Sequence, residues 1–301
     1  MAETAVGTDE YVNKLHHRSA SVDGVNIFYR EGGPTDGPAL LLLPGFPAAS
    51  YQYVPLMRRL AGHIHVISPD YPGFGYSDAP AASSAGGSFV YSFDHIAGII
   101  DKFLAALGQR RFFVYMFDFG APVGFRIACK HPQWIRGIIA QNANAYEEGL
   151  GPNMQSLRAF WKDRAAHEEQ VKEALSFAAT RSAHLQGVRN PELVDPDMWT
   201  LDQHWLDQPG RTPIMLDLFH DYQNNVAAYP AWQKYLRTHR PPMLLPWGKN
   251  DAYFPGAGAR AYLKDVPDAE LHLLDTGHFA LDDHLDEIAA LITDFIARHA
   301  H

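Results

Sequence analysis

Short apolar runs alternate along this chain with longer segments of helical periodicity. Val25–Tyr29, Ala39–Leu43 and Ile64–Ser68 read as strands, the last running into the turn Pro69–Asp70. Ser92 opens a predicted helix to about Leu107, with Ile96, Ile99, Ile100, Phe103 and Leu104 on one face, and Gly108 stops it. A strand over Arg111–Met116, a helix over Pro122–Lys130 and a strand over Ile135–Gln141 follow. Met243–Pro246 and Glu270–Leu274 complete the strands, and a final helix is expected over Leu281–Arg298. Alternation of this kind predicts an α/β fold, a mostly parallel central sheet flanked by helices. One stretch breaks the rhythm. Tyr146 to Arg237 shows helical pattern, tryptophan and charge but no convincing strand. It reads as a helical lid, residues 146–237, inserted into a core of residues 1–145 and 238–301. Ala79–Ser88 is small and polar, a loop expected to be mobile.

Composition narrows the function classes. The chain has 301 residues, 47% of them hydrophobic, enough to bury a large core. A formal net charge of -9 argues against a nucleic-acid partner and against docking on an anionic membrane. No apolar run reaches the length of a membrane span, and the first residues lack the apolar stretch of a signal peptide. The single cysteine, Cys129, rules out an intrachain disulfide and fits a reducing, cytoplasmic setting. It is expected to pack as a small buried hydrophobe. The sixteen histidines are scattered without metal-ligand spacing, so no metal and no cofactor is expected. The expected partner is a small-molecule substrate, and the oligomeric state stays open.

The chemistry concentrates at strand ends. In RFFVYM-FDFG-APVGFRIA a buried strand meets a sharp turn at Phe117–Asp118–Phe119, and small residues follow where a helix must pack close to it. This is the nucleophile-elbow layout, in which the central residue projects from the top of the sheet. Serine is usual there; here it is Asp118, and no GxSxG occurs in the chain. Taken locally, Asp118 reads almost equally well as a helix cap. Two further residues shift that balance. Asp251 follows the strand ending in PWGKND, and His278 follows the strand ELHLL in a glycine turn. The order nucleophile, acid, histidine is that of the α/β-hydrolase triad, with each residue at a carboxyl strand end.

On these motifs the chain resembles the α/β-hydrolase branch that contains haloalkane dehalogenases and epoxide hydrolases. The matching pieces are LLLPGFP at Leu41–Pro47, PDYPGFGYSD at Pro69–Asp78, FDFGAPVG, WGKND and DTGHFAL. The resemblance runs from about Val22 to Ile296. It implies Asp118 as nucleophile, Asp251 as acid and His278 as base. It also implies an oxyanion hole from the backbone N–H groups of Phe46 and Phe119, with Pro47 in a cis peptide. Three positions depart from the family. Pro44 replaces the histidine of HGxP, Phe117 replaces a polar residue or histidine, and Phe119 stands where one dehalogenase subgroup carries tryptophan. A phenyl ring lacks the N–H that holds halide, which weighs against the dehalogenase alternative. FHDYQNNV resembles the stretch bearing a proton-donating lid tyrosine in epoxide hydrolases, making Tyr222 a candidate substrate-binding residue or else a packing tyrosine. Tyr146 is a second candidate. Trp161 reads as half of a halide cradle or as an apolar anchor. Tyr51 and Tyr53 either shape the pocket wall or simply pack. Two readings compete from outside this branch: an ester or lactone hydrolase, and a ligand-binding protein that keeps the fold without turnover.

Overall fold

The computed structural model describes residues 14–300. Eight strands form one sheet in the order β1-β2-β4-β3-β5-β6-β7-β8. They are β1 (Leu15–Val22), β2 (Val25–Gly32), β3 (Ala39–Leu43), β4 (His65–Pro69), β5 (Phe112–Phe117), β6 (Ile135–Gln141), β7 (Met243–Gly248) and β8 (Glu270–Leu274). β1 pairs antiparallel with β2, and β2 antiparallel with β4; every other pairing is parallel. β1 is the strand that the hydrophobic pattern did not predict. Its sequence LHHRSASV is polar and mostly exposed because it forms an edge with one neighbour. β3, β5 and β7 are buried along their whole length, as strands covered on both faces must be.

Helices α1 (Val54–Leu60), α2 (Phe93–Ala106), α3 (Gly120–Lys130), α9 (Gly256–Tyr262) and α10 (Leu281–His299) lie along the sheet. Between β6 and β7 the chain forms α4 (Gln155–Lys162), α5 (Arg164–Lys172), α6 (Phe177–Leu185), α7 (Pro196–Leu206) and α8 (Arg211–His239). The expected insertion boundary at Arg237 falls inside α8, a 29-residue helix that continues to His239. The helix ends where Arg240 takes a left-handed φ of 42°. Its Pro230 leaves the helix unbroken.

One local expectation needs correction. Cys129 is exposed, because it falls on the outward side of α3, while Phe125 and Ala128 face the core. The 79–88 loop carries a short 3-10 turn over Ser83–Ala85 and is pinned to α8 by a 2.6 Å hydrogen bond from the Ser84 hydroxyl to Asp217.

The strand–helix joint at β5–α3 depends on small residues. A Cβ on Gly120 would lie 2.3 Å from the Leu43 carbonyl oxygen, and one on Gly124 2.6 Å from the Met116 methyl group. At Gly120, where the neighbour is backbone, a larger residue would push α3 off the sheet and move the turn that precedes it.

Candidate active site

The turn between β5 and α3 holds Asp118 at φ 47°, a left-handed conformation that non-glycine residues seldom adopt. Its buried carboxylate does not cap α3. The Phe46 N–H, from the loop after β3, donates to Oδ1 at 2.6 Å, and the Phe119 backbone N–H donates to the same carboxylate. Phe46 and Pro47 are joined by a cis peptide. Burial lifts the Asp118 carboxyl above its ordinary value; the His278 charge and the two backbone donors pull it back down.

Two other strand ends meet this one. Asp251 lies just past β7 and His278 in the turn after β8. His278 Nδ1 is 2.7 Å from Asp251 Oδ2, and its Nε2 is 3.7 Å from Asp118 Oδ2. An ionised carboxylate only accepts, so Nδ1 carries the proton toward Asp251; in the neutral ring the Nε2 lone pair then faces Asp118. Burial alone would lower the His278 pKa, but the Asp251 carboxylate outweighs it and the net shift is upward. Asp251 is held by more than the histidine. It also accepts from Asn142 Nδ2 at 2.8 Å and from the Tyr253 N–H at 2.7 Å. Asn142, at the end of β6 with φ 44°, bridges to Gly248 on β7 through both ends of its amide. Sequence reasoning passed over Asn142 and Tyr253. The available signal was position: Asn142 ends the strand beside the elbow, and Tyr253 stands two residues after the acid.

Above these residues opens a cavity of about 550 Å³. Its floor is Phe46, Asp118, Phe119 and His278, and its far wall comes from Met154, Leu157, Val171, Ala179 and Ala183 of the inserted segment. Phe46 packs on Phe119 and Phe219 with ring centroids 5.6 and 4.8 Å apart, so the carboxylate sits in an aromatic, water-poor setting.

The three expected lid residues divide. Tyr222 lines the cavity on α8, and its buried hydroxyl is linked to that of Tyr229, which accepts from Asn144 Nδ2 at 3.1 Å. Tyr146 does not reach the cavity. Its hydroxyl donates to Asp265 at 2.7 Å and its ring packs on Tyr262, because the chain leaving β6 turns it toward α9. Trp161 lies behind Tyr222, with the rings stacked at 6.2 Å, and its indole N–H donates to the Phe219 carbonyl at 2.8 Å. That donor is engaged with backbone rather than turned to the cavity. Tyr51 and Tyr53 pack: their hydroxyls reach Asp202 and the Leu43 carbonyl rather than the cavity. No helix among the described residues is long and apolar enough to cross a membrane.

A mainly parallel sheet, a strained strand-to-helix turn and a pocket at the carboxyl strand ends under inserted helices together define an α/β hydrolase. Residues 38–285 match the model of the alpha/beta hydrolase fold family, and the chain belongs to that family. It is 42% identical to "Uncharacterized hydrolase YNR064C" of Saccharomyces cerevisiae, over 94% of this chain and 97% of that one. It is 23% identical to epoxide hydrolase 2 of Caenorhabditis elegans, over 95% of this chain and 81% of that one. Among solved structures, a mutant of the haloalkane dehalogenase DatA from Agrobacterium tumefaciens superposes with TM-score 0.78 at 20% identity, covering 94% of this chain and 97% of that one.

Proposed function

We propose that this hydrolase opens epoxides of small hydrophobic molecules through a covalent ester on Asp118. The observation that carries the reading is the Asp118 carboxylate itself, held at the cavity floor by the Phe46 N–H at 2.6 Å and facing His278 Nε2 at 3.7 Å. A carboxylate needs no base to become a nucleophile, and it attacks an sp³ carbon directly. One Asp118 oxygen bonds to the epoxide carbon, the ring C–O bond breaks, and the alkoxide takes the Tyr222 phenolic proton as that hydroxyl turns from its link to Tyr229. His278 Nε2 then removes a proton from water, and the hydroxide adds to Cγ of the ester. The Phe46 and Phe119 N–H groups hold the resulting oxyanion, a role worth roughly 3–4 kcal/mol per donor in related chemistry. Collapse breaks the acyl C–O bond and releases a vicinal diol, while the His278 proton returns to the Tyr222 phenolate through solvent or product. The sum is epoxide plus water to diol.

Carbon–halogen hydrolysis would share the floor but needs N–H donors for the leaving halide. Phe119 has none on its side chain, and the Trp161 indole is bonded to Phe219. A panel of epoxides and haloalkanes tests the choice. Diol formation with no halide release is expected. Halide release without epoxide turnover would replace the reading with dehalogenation, and turnover of neither with rapid ester cleavage would replace it with an esterase.

A further inference from the structure

A second histidine lies behind the first, and the mechanism above does not use it. His184 on α6 is fully buried between two carboxylates. Its Nδ1 is 2.6 Å from Asp282 Oδ2 at the start of α10, and its Nε2 is 2.9 Å from Asp202 Oδ2 on α7. The Tyr51 hydroxyl, ahead of α1, donates to the other oxygen of Asp202. One face of the His184 ring stacks on Phe279 at 3.8 Å and 13°. Phe279 follows His278 in the chain, and its ring stands edge-on to the His278 imidazole at 5.2 Å. The cluster therefore joins two helices of the insertion to the sheet core and to the loop of the histidine base.

Hydrogen-bond arithmetic fixes the state of the ring. Both carboxylates only accept, and a neutral imidazole has a single N–H. With both carboxyls ionised, only the doubly protonated ring satisfies Asp202 and Asp282 together; burial also raises the Asp282 carboxyl, so ring and carboxyl share that proton between them. The neutral ring would set a lone pair against a buried carboxylate, which is costly. Burial opposes the charge, yet Asp282 and Asp202 outweigh it and push His184 up to about 9. The remaining charged and titratable neighbours are Asp283, which acts on Asp282, His278 across Phe279, and Arg30 and Asp70, which face Tyr51. On the α7 side, Trp199 packs at 6.1 Å from the His184 ring and carries the Arg181 guanidinium.

We infer that His184 is a positioning residue for His278: as an imidazolium it ties α6 and α7 to the His278 loop, and its deprotonation loosens that tie. The inference rests on the reading of His278 as the base of the second step. Alkylation of Asp118 does not involve His278, so untying should slow ester hydrolysis and spare ester formation.

The test uses the whole chain with ring-labelled histidines followed by NMR from pH 5 to 10, His184 and His278 being assigned by the single variants His184→Gln and His278→Gln. His184 is expected to titrate near pH 9, and the His278 resonance to show a second inflection at the same pH. Asp202→Asn should lower the His184 titration, because its amide can donate to a neutral Nε2, and the inflection at His278 should move with it. In transient kinetics, wild-type ester hydrolysis should fall as pH rises through that value with alkylation unchanged. His184→Gln should slow hydrolysis by ~10-fold or more and leave alkylation within ~2-fold. His184 titrating in the ordinary histidine range, or a His278 signal blind to it, overturns the proposal, as does equal slowing of both steps. The NMR arm needs no substrate, so failure of the epoxide reading would be seen separately. If His184→Gln does not fold, the His184 resonance is assigned instead by its through-space contact with the Phe279 ring, 3.8 Å away, and the wild-type and Asp202→Asn titrations still decide the matter.

Discussion

The floor and the roof of the cavity are held in place by different means. On the floor, Asp118, Asp251 and His278 each follow a strand end directly, and the sheet register brings those ends together. Few backbone bonds separate each side chain from a rigid strand, so its position is set locally. The roof is made of α4–α8, whose side chains are placed by how helices pack on one another and on the core. There, one turn of helix decides whether a residue faces substrate or protein. Tyr222 faces the cavity, while Trp161, against its back, faces the Phe219 carbonyl. In the proposed mechanism the floor carries the nucleophile and the base, and the roof shapes the cavity and, through His184, steadies the base.

The sharpest way to break this contrast is Asp118→Asn. Turnover should drop at least ~10³-fold, since an amide is not a nucleophile. Asparagine tolerates left-handed backbone, so thermal unfolding should stay close to wild type. A folded variant with near-normal activity, deamidation excluded, would move the nucleophile elsewhere. Tyr222→Phe tests whether the roof takes part in the chemistry. Loss of the proton donor should slow epoxide opening ~10²–10⁴-fold. Unchanged ring opening would confine the chemistry to the floor.

The two histidines separate floor from roof by pH. Asp251 raises His278 above its ordinary value despite burial, and the base must be neutral. Hydrolysis should therefore be lost as pH falls through that raised value, and on the alkaline side it should decline again as His184 gives up its proton. His184 is raised to about 9, so its contribution to stability is full below the unfolded histidine value and is lost as pH rises through about 9. Thermal melts from pH 6 to 10 should decline on the alkaline side; a flat alkaline limb would mean that the clamp does not titrate.

The smallest effects are expected where roof residues face away from the cavity. Tyr146→Phe and Trp161→Phe should each cost on the order of 1 kcal/mol through the lost bonds to Asp265 and the Phe219 carbonyl. Activity should stay within ~3-fold. A loss above ~10-fold in either would erase the distinction between the residues facing the cavity and those behind them.

Legibility in the sequence followed the same division. Strand alternation and the elbow, acid and histidine motifs announce the floor, because those residues sit at fixed offsets from strands whose apolar runs are visible. β1 escaped notice because a polar edge strand carries no such run. Asn142 has no motif; its importance comes from β6 lying beside β7, a fact of sheet order. In the insertion, Tyr146 and Trp161 were picked out by residue type near the expected place, but orientation depends on packing. His184 was invisible for the same reason: its partners Asp202, Asp282 and Tyr51 are distant in the chain and meet only in the fold.

In the proposed mechanism Asp118 acts alone in the first step, and His278 is required only for the second. Mass spectrometry of His278→Gln after incubation with an epoxide that the wild-type protein turns over therefore addresses the central claim most directly. The account predicts one equivalent of adduct, with the mass of the epoxide, on the peptide containing Asp118. An unmodified Asp118 peptide from a folded variant that still binds the epoxide would contradict it and point to direct attack by water.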